Sequence, residues 1–262
     1  MPAAPNGTRD SVRAAVEAEA AQLSRAPQFY LSPVDPGAIY DGSVAAPNVF
    51  NNAQDRAAGK FELRNVRSGT YELYAIVSDF NPSPARFYVA HTTIDVGMQD
   101  MSGIALTIAP GAEVNGRVVY TGNASPATTP VRVQLRPKDV LPDPAIASGL
   151  SALVADDGMF TVSNVPELRY SVSIGPLSPD AYGADIRLGN RPAFDRGVTI
   201  SRQLRDNLEV VVAAPAGTIT GTVSASPQQL QAGITVTLVP EEARWENVAL
   251  YKRTPVTRSG SF

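Results

Sequence analysis

Apolar and polar residues alternate one for one along most of this chain, which is the period of a half-buried β-strand rather than of a helix. After Gly59, Phe61 and Leu63 alternate with Lys60, Glu62 and Arg64. Residues 65–69 read as a turn, and Tyr71, Leu73 and Ala75 then resume the inward positions. Around Gly158, 99 residues later, Phe160, Val162, Val165, Tyr170, Val172 and Ile174 hold the matching offsets. Gly-x-Phe returns a third time at Gly260-Ser261-Phe262, a further 102 residues on. A period of that size is the length of a domain, not of a solenoid repeat.

Aligning Pro33, Pro137 and Pro240 stacks three more strands, at 29–31, 131–135 and 234–238. Phe29, Leu31, Val133, Leu135, Val236 and Leu238 then share one face, the expected core, while Tyr30, Gln134 and Thr237 share the other. Closing strands are expected at 104–108 and 208–212, each followed by a Pro/Gly hinge, at 109–111 and 214–217. Hinges this short make neighbouring units touch rather than swing on a tether. The pattern thus predicts a first β-sandwich over 1–111, truncated at its N-terminus, a complete one over 112–217, and a truncated third over 218–262. The third unit is expected to expose unpaired strand edges and to exchange its amide hydrogens readily. One stretch departs from period two. Val12, Ala15, Val16, Ala20 and Leu23 follow helical spacing behind Thr8, Asp10 and Ser11, predicting a short helix near 10–25 that stops before Pro27.

Composition sharpens the fold class and removes several functions. Across 262 residues, 44% hydrophobic and 18% charged content is globular, and 20 Gly with 22 Pro mark many short elements joined by turns. A formal charge of −3 gives no broad cationic surface, which disfavours generic nucleic-acid binding. No stretch approaches the roughly 18 to 20 apolar residues of a membrane span. Residues 1–6 do not read as a signal peptide, so an export signal is expected outside this segment. The absence of cysteine removes disulfides, thiolate metal sites and cysteine nucleophiles.

The pattern Gly59-x-Phe61-x-Leu63-x-x-Val66-x-x-Gly69-x-Tyr71-x-Leu73-x-Ala75 follows Leu-x-Pro on one strand and precedes Pro-Gly and Asn-Gly-x-Val. It resembles the carboxypeptidase regulatory-like domain, a transthyretin-like Greek-key β-sandwich of Ig-like architecture grouped with carbohydrate-binding-like folds. The resemblance implies tandem repeats of an all-β module from a bacterial secreted, periplasmic or cell-envelope protein. It does not import peptidase activity, because the zinc motifs of the catalytic domains are absent. Leu168 stands where the first copy has Gly69, and a bulky residue resists positive φ, so a different turn is expected there. Tyr71 and Tyr170 are expected to bury their rings and hydrogen-bond a backbone carbonyl, as in a tyrosine corner.

Candidate chemistry is sparse. His91 is the only histidine, and no Gly-x-Ser-x-Gly elbow accompanies it, so no catalytic residue is assigned. Asp156 and Asp157 precede Gly158 as calcium ligands would, yet Ala57-Ala58 and Arg258-Ser259 occupy the same place in the other copies, which favours a plain hairpin. Glu241-Glu242 reads as a solvated loop end. A sugar face stacks on exposed aromatic rings, and Tyr30, Tyr40, Tyr74, Tyr182, Phe194, Trp245 and Tyr251 lie outside the expected core. Trp245, Tyr251 and Tyr182 are the candidate carbohydrate contacts. The leading reading is a non-catalytic spacer and interaction segment that binds no metal or cofactor and has carbohydrate or another envelope protein as its partner. The alternative is a carbohydrate-binding module array accessory to an enzyme or an outer-membrane receptor.

Overall fold

A computed structural model describes residues 27–34, 48–49, 59–80, 85–127, 129–138 and 144–262. The helix expected near 10–25 and the candidate Tyr40 lie outside the described residues. The chain is an all-β sandwich protein. Its first strands are β1 (Gln28–Pro33), β2 (Asn48–Val49), β3 (Leu63–Arg64), β4 (Gly69–Asp79), β5 (Arg86–Val96) and β6 (Ala109–Pro110). They form an N-terminal sheet in the order β1-β4-β5-β6 and a small β2–β3 ladder. Antiparallel register sets Leu31 opposite Leu73 and Pro33 opposite Tyr71, so the proline closes the end of β1. Alternation along β4 buries Tyr71, Leu73, Ala75 and Val77 on one face, and Tyr74 and Ile76 are buried on the other. The ring of Phe61 stacks on Phe29 with centroids 4.3 Å apart.

The central sandwich is built from β7 (Ala112–Gly122), β8 (Arg132–Pro137), a single helical turn α1 (Pro144–Ala147), β9 (Leu150–Leu153), β10 (Met159–Val165), β11 (Arg169–Gly175), β12 (Tyr182–Leu188), β13 (Arg191–Pro192), β14 (Val198–Thr199) and β15 (Leu208–Ala214). Its two sheets run β10-β7-β15-β12-β13 and β14-β11-β8-β9, with β15 lying parallel to β7. Val114, Phe160, Val162, Leu208, Val210 and Val212 from one sheet meet Val133, Leu135, Tyr170, Val172 and Val198 from the other in one buried cluster. Asn-Gly-x-Val earns its glycine here: a Cβ on Gly116 would sit 2.3 Å from the Phe160 ring and 2.4 Å from the Leu208 carbonyl oxygen.

The C-terminal part holds α2 (Pro227–Ala232), β16 (Thr235–Leu238) and β17 (Lys252–Pro255). Ser226 and Gln229 form a capping box at the start of α2, with Pro227 in its first turn. The β16–β17 pairing repeats the β8–β9 pairing: Arg132 faces Leu153 and Leu135 faces Leu150, as Thr235 faces Pro255 and Leu238 faces Lys252. Hydrogen bonds recur as well. Val118 N donates to Gly158 O at 2.8 Å and Ala155 N to Met159 O at 2.8 Å, while Val223 N donates to Gly260 O at 2.7 Å and Thr257 N to Ser261 O at 2.9 Å.

Several expectations need correction. Residues 104–108 form no strand, and only Ala109–Pro110 pairs, with Tyr88 and Val89. Ile104, Leu106 and Ile108 still alternate inward, but among the described residues no strand lies alongside to complete a ladder. Leu238 is 47% exposed and Val236 half-buried, whereas their counterparts Leu135 and Val133 are fully buried. The cause is topological: β8 lies between β9 and β11, but among the described residues β16 pairs with β17 alone. Tyr74 is buried rather than exposed. At the turn before each tyrosine strand, Asn65 and Asn164 both adopt left-handed φ, 60° and 57°, so the turns begin alike. The expected difference lies at the exit, where Gly69 has φ 156° and the buried Leu168 is not in the left-handed region.

Candidate functional site

The expected tyrosine corners are present in both copies. The Tyr71 hydroxyl donates to the Arg67 carbonyl at 3.0 Å, and Tyr170 donates to Pro166 at 3.0 Å, in each case four residues back. These rings pack; they do not present a surface.

What the structure assembles instead are two junctions. At the first, the outward face of the N-terminal sheet is covered: Tyr74, Ile76, Phe87 and Val89 belong to the same buried cluster as the central sandwich. Alternation showed that this face existed but not that a neighbour would cover it. Gly111 fits only as glycine, since a Cβ would lie 2.4 Å from the Asn164 carbonyl carbon. His91 spans the seam. Its Nε2 lies 3.1 Å from the Glu167 carbonyl oxygen and its Nδ1 3.2 Å from the Glu72 carboxylate, with the ring stacked on Tyr74. Because a carbonyl only accepts, Nε2 carries the proton donated to Glu167.

At the second junction, the 241–251 loop lies against Phe194 and Asp195 of the central sandwich. Two short 3-10 turns, Glu242–Arg244 and Val248–Leu250, bring Arg244 Nε to 2.8 Å from Asp195 Oδ1 and stack its guanidinium 5.6 Å over Phe194. Asn247 is buried, donates from Nδ2 to the Phe194 carbonyl and to Asp195, both at 3.0 Å, and accepts from Ala249 N. Burial works against ionisation of Asp195, yet the hydrogen bonds from Asn247 and Arg244 outweigh it and hold the carboxyl below the usual range. Lys138 donates to Glu246 at 2.7 Å and keeps that carboxyl low as well. Glu241 and Glu242 are exposed at the start of this loop, as the sequence suggested.

Of the candidate carbohydrate contacts, Trp245 and Tyr251 come together and Tyr182 does not join them. Trp245 is 54% exposed, but its indole N–H donates to the Pro240 carbonyl at 3.1 Å, and the Tyr251 hydroxyl donates to the Trp245 carbonyl at 3.1 Å. Both polar handles are thus committed within the loop, while the Trp245 side chain stays half-exposed. Tyr182 is 45% exposed on β12, opposite Ala213 in the five-stranded sheet. Phe194 lies under Arg244, and Tyr30 is half-buried with its hydroxyl bonded to Gln28.

Asp157 accepts from Met159 N at 2.9 Å, an Asx-type turn. The corresponding turn at Gly260 makes the same backbone bonds with Ser259 in place of Asp157, so the turn itself needs no carboxylate. Among the described residues no group of three or more His, Asp or Glu is placed to hold a metal ion, and no helix is long and apolar enough to cross a membrane. The missed feature, the Asn247–Asp195–Arg244 clamp, joins residues 49 to 52 positions apart, and no local pattern signals such a contact. No protein-family model matches the chain, and comparison with curated proteins finds no similar sequence.

Proposed function

We propose that this chain is a non-catalytic run of tandem β-sandwich units resembling carboxypeptidase regulatory-like domains, a spacer and interaction module of a larger secreted or cell-envelope protein. Its supporting pattern is the recurrence of one strand pairing and one set of turn hydrogen bonds at Gly158 and Gly260. The observation that carries the spacer role is the docking of both junctions, by the shared apolar cluster and Gly111 at one and by the buried Asn247 clamp at the other. A spacer transmits position only if its joints resist bending. Small-angle scattering of the intact chain is the test, alongside a variant carrying Asn247→Ala and Arg244→Ala. The intact chain scatters as one rigid shape and the variant as a jointed one. A jointed profile for the intact chain overturns the proposal, as does turnover of a peptide or glycan substrate.

A second reading, a carbohydrate-binding array, is favoured by one observation, the half-exposed side chain of Trp245. Under that reading Trp245→Ala abolishes glycan retention. Under the spacer reading it leaves retention unchanged.

A further inference from the structure

We propose that the outer face of the β14-β11-β8-β9 sheet binds an acidic polysaccharide, a hydroxyl-rich polymer bearing carboxylates at intervals. The inference rests on the reading of the chain as an interaction module. Strand β8 turns Val133 and Leu135 into the core, and so presents Arg132, Gln134 and Arg136 on the opposite face. Register places Ser173 beside Gln134 and Ser171 beside Arg136, with Arg169 next along β11 on the same face. No Asp or Glu occupies any strand position of this face, although the chain as a whole carries 25 acidic residues against 22 basic ones.

Among the described residues Arg132 and Arg136 carry no ion pair, whereas several arginines elsewhere do. Arg117, Arg187, Arg191 and Arg202 each meet a carboxylate at 3.3 Å or less. Among the described residues Arg132 and Arg136 meet none, and Arg132 bonds only the Ser151 hydroxyl, at 3.3 Å. Planar guanidinium forks fixed to rigid strands are preorganised for carboxylate. Arg132 and Arg136 are separated by four strand residues, about 13 Å, so one small anion cannot bridge them and an extended polyanion can.

The groups between the arginines decide the class of polymer. Gln134 donates to the Ser148 carbonyl and Ser171 to the Arg136 carbonyl, which leaves the Gln134 side-chain oxygen, the Ser171 lone pairs and the Ser173 hydroxyl for sugar hydroxyls. Among the described residues no outward strand position of this face carries an aromatic ring on which nucleobases would stack. Among the described strand positions of this face the one large apolar side chain is Leu153, which is half-exposed and alone, whereas a peptide is anchored by clustered apolar side chains.

Affinity electrophoresis of the full chain tests this, in gels holding polygalacturonate or the same polymer fully methyl-esterified. Retardation is expected in the first gel alone and weakens as salt is raised. Arg132→Ser with Arg136→Ser reduces binding about tenfold or more. Arg132→Lys with Arg136→Lys, which keeps both charges but not the planar fork, binds more weakly than the unaltered chain and more tightly than the serine pair. Arg253→Ser with Arg258→Ser, which removes equal charge elsewhere, changes nothing. Absence of retardation, equal retardation by the esterified polymer, equal loss in both serine pairs, or tighter binding of poly-glutamate or a deoxythymidine oligomer overturns the proposal. A chain that scatters as rigid yet ignores the polymer loses only this ligand. One that is jointed yet retarded loses only the spacer role.

Discussion

Tyr71 and Tyr170 perform the same bond in different surroundings, and that difference gives a measurable contrast. Tyr170 is fully buried, so Tyr170→Phe leaves the Pro166 carbonyl without its donor and out of reach of water, at a cost of about 1–2 kcal/mol. The Tyr71–Arg67 bond is only partly buried, and Tyr71→Phe costs about 0.5–1 kcal/mol. Denaturant titration of the two variants checks the order. Glycine gives a second contrast. A Cβ on Gly116 collides with the Leu208 backbone oxygen as well as with Phe160, while one on Gly221 meets only the ring of Phe262, at 2.6 Å. A half-exposed ring can move and a strand carbonyl cannot. Gly116→Ala therefore costs about 1–3 kcal/mol as overpacking, and Gly221→Ala costs clearly less by the same measurement. At the Asp156-Asp157 turn, excess calcium or a chelator leaves the melting temperature unchanged, because Asp157 already caps its own hairpin and the Gly260 turn forms without it.

Elements differ in how far the chain announces them. Strands with one buried face, β8, β10 and β11, were legible from period two, and their inward residues are the ones the alternation named. Strand β4 was only half legible: Tyr71, Leu73 and Ala75 marked its core face, but Tyr74 and Ile76 are buried by a neighbouring sheet, and a strand's own pattern carries no record of what packs on its far side. The apolar alternation at 104–108 failed for the converse reason, since an inward row makes a strand only where a partner offers its backbone. Trp245 and Tyr251 were named as a site by residue type alone, whereas the loop that carries them is held by a clamp invisible in sequence. That clamp has a pH signature. Asp195 is held ionised below the ordinary Asp value of about 3.9, so its bonds to Arg244 and Asn247 stabilise the docked loop at neutral pH and fade as pH falls through the lowered value. Trp245 is the only tryptophan, and its fluorescence reads the loop directly. Emission holds steady from neutral pH down to about 4 and shifts below it. In Asp195→Asn the shifted emission is already present at neutral pH. A shift of the unaltered chain above pH 5 would place the sensitive group elsewhere.

Taken whole, the molecule is uneven in how well its apolar surface is covered. In the central sandwich Val133 and Leu135 are fully buried, because β8 has a strand on each edge and a second sheet across the core. In the C-terminal part Leu238 is 47% exposed, Val239 54%, Ile219 66% and Val248 71%, and among the described residues β16 is paired along one edge only. An open edge beside an apolar face is the arrangement that natural sheets avoid, because it invites another strand. What restrains this region is its attachment to the sandwich, through Asn247, Arg244 and Lys138, rather than a core of its own. Local stability follows coverage, so amides of 218–262 exchange with solvent well ahead of those of 112–217 at neutral pH, measured by mass spectrometry on the intact chain. Asn247→Ala speeds exchange in the C-terminal part and leaves the sandwich unchanged. If 218–262 is instead as protected as the sandwich, a strand from a second chain must cover the β16 edge. Sedimentation would then report a dimer, and protection would rise with concentration.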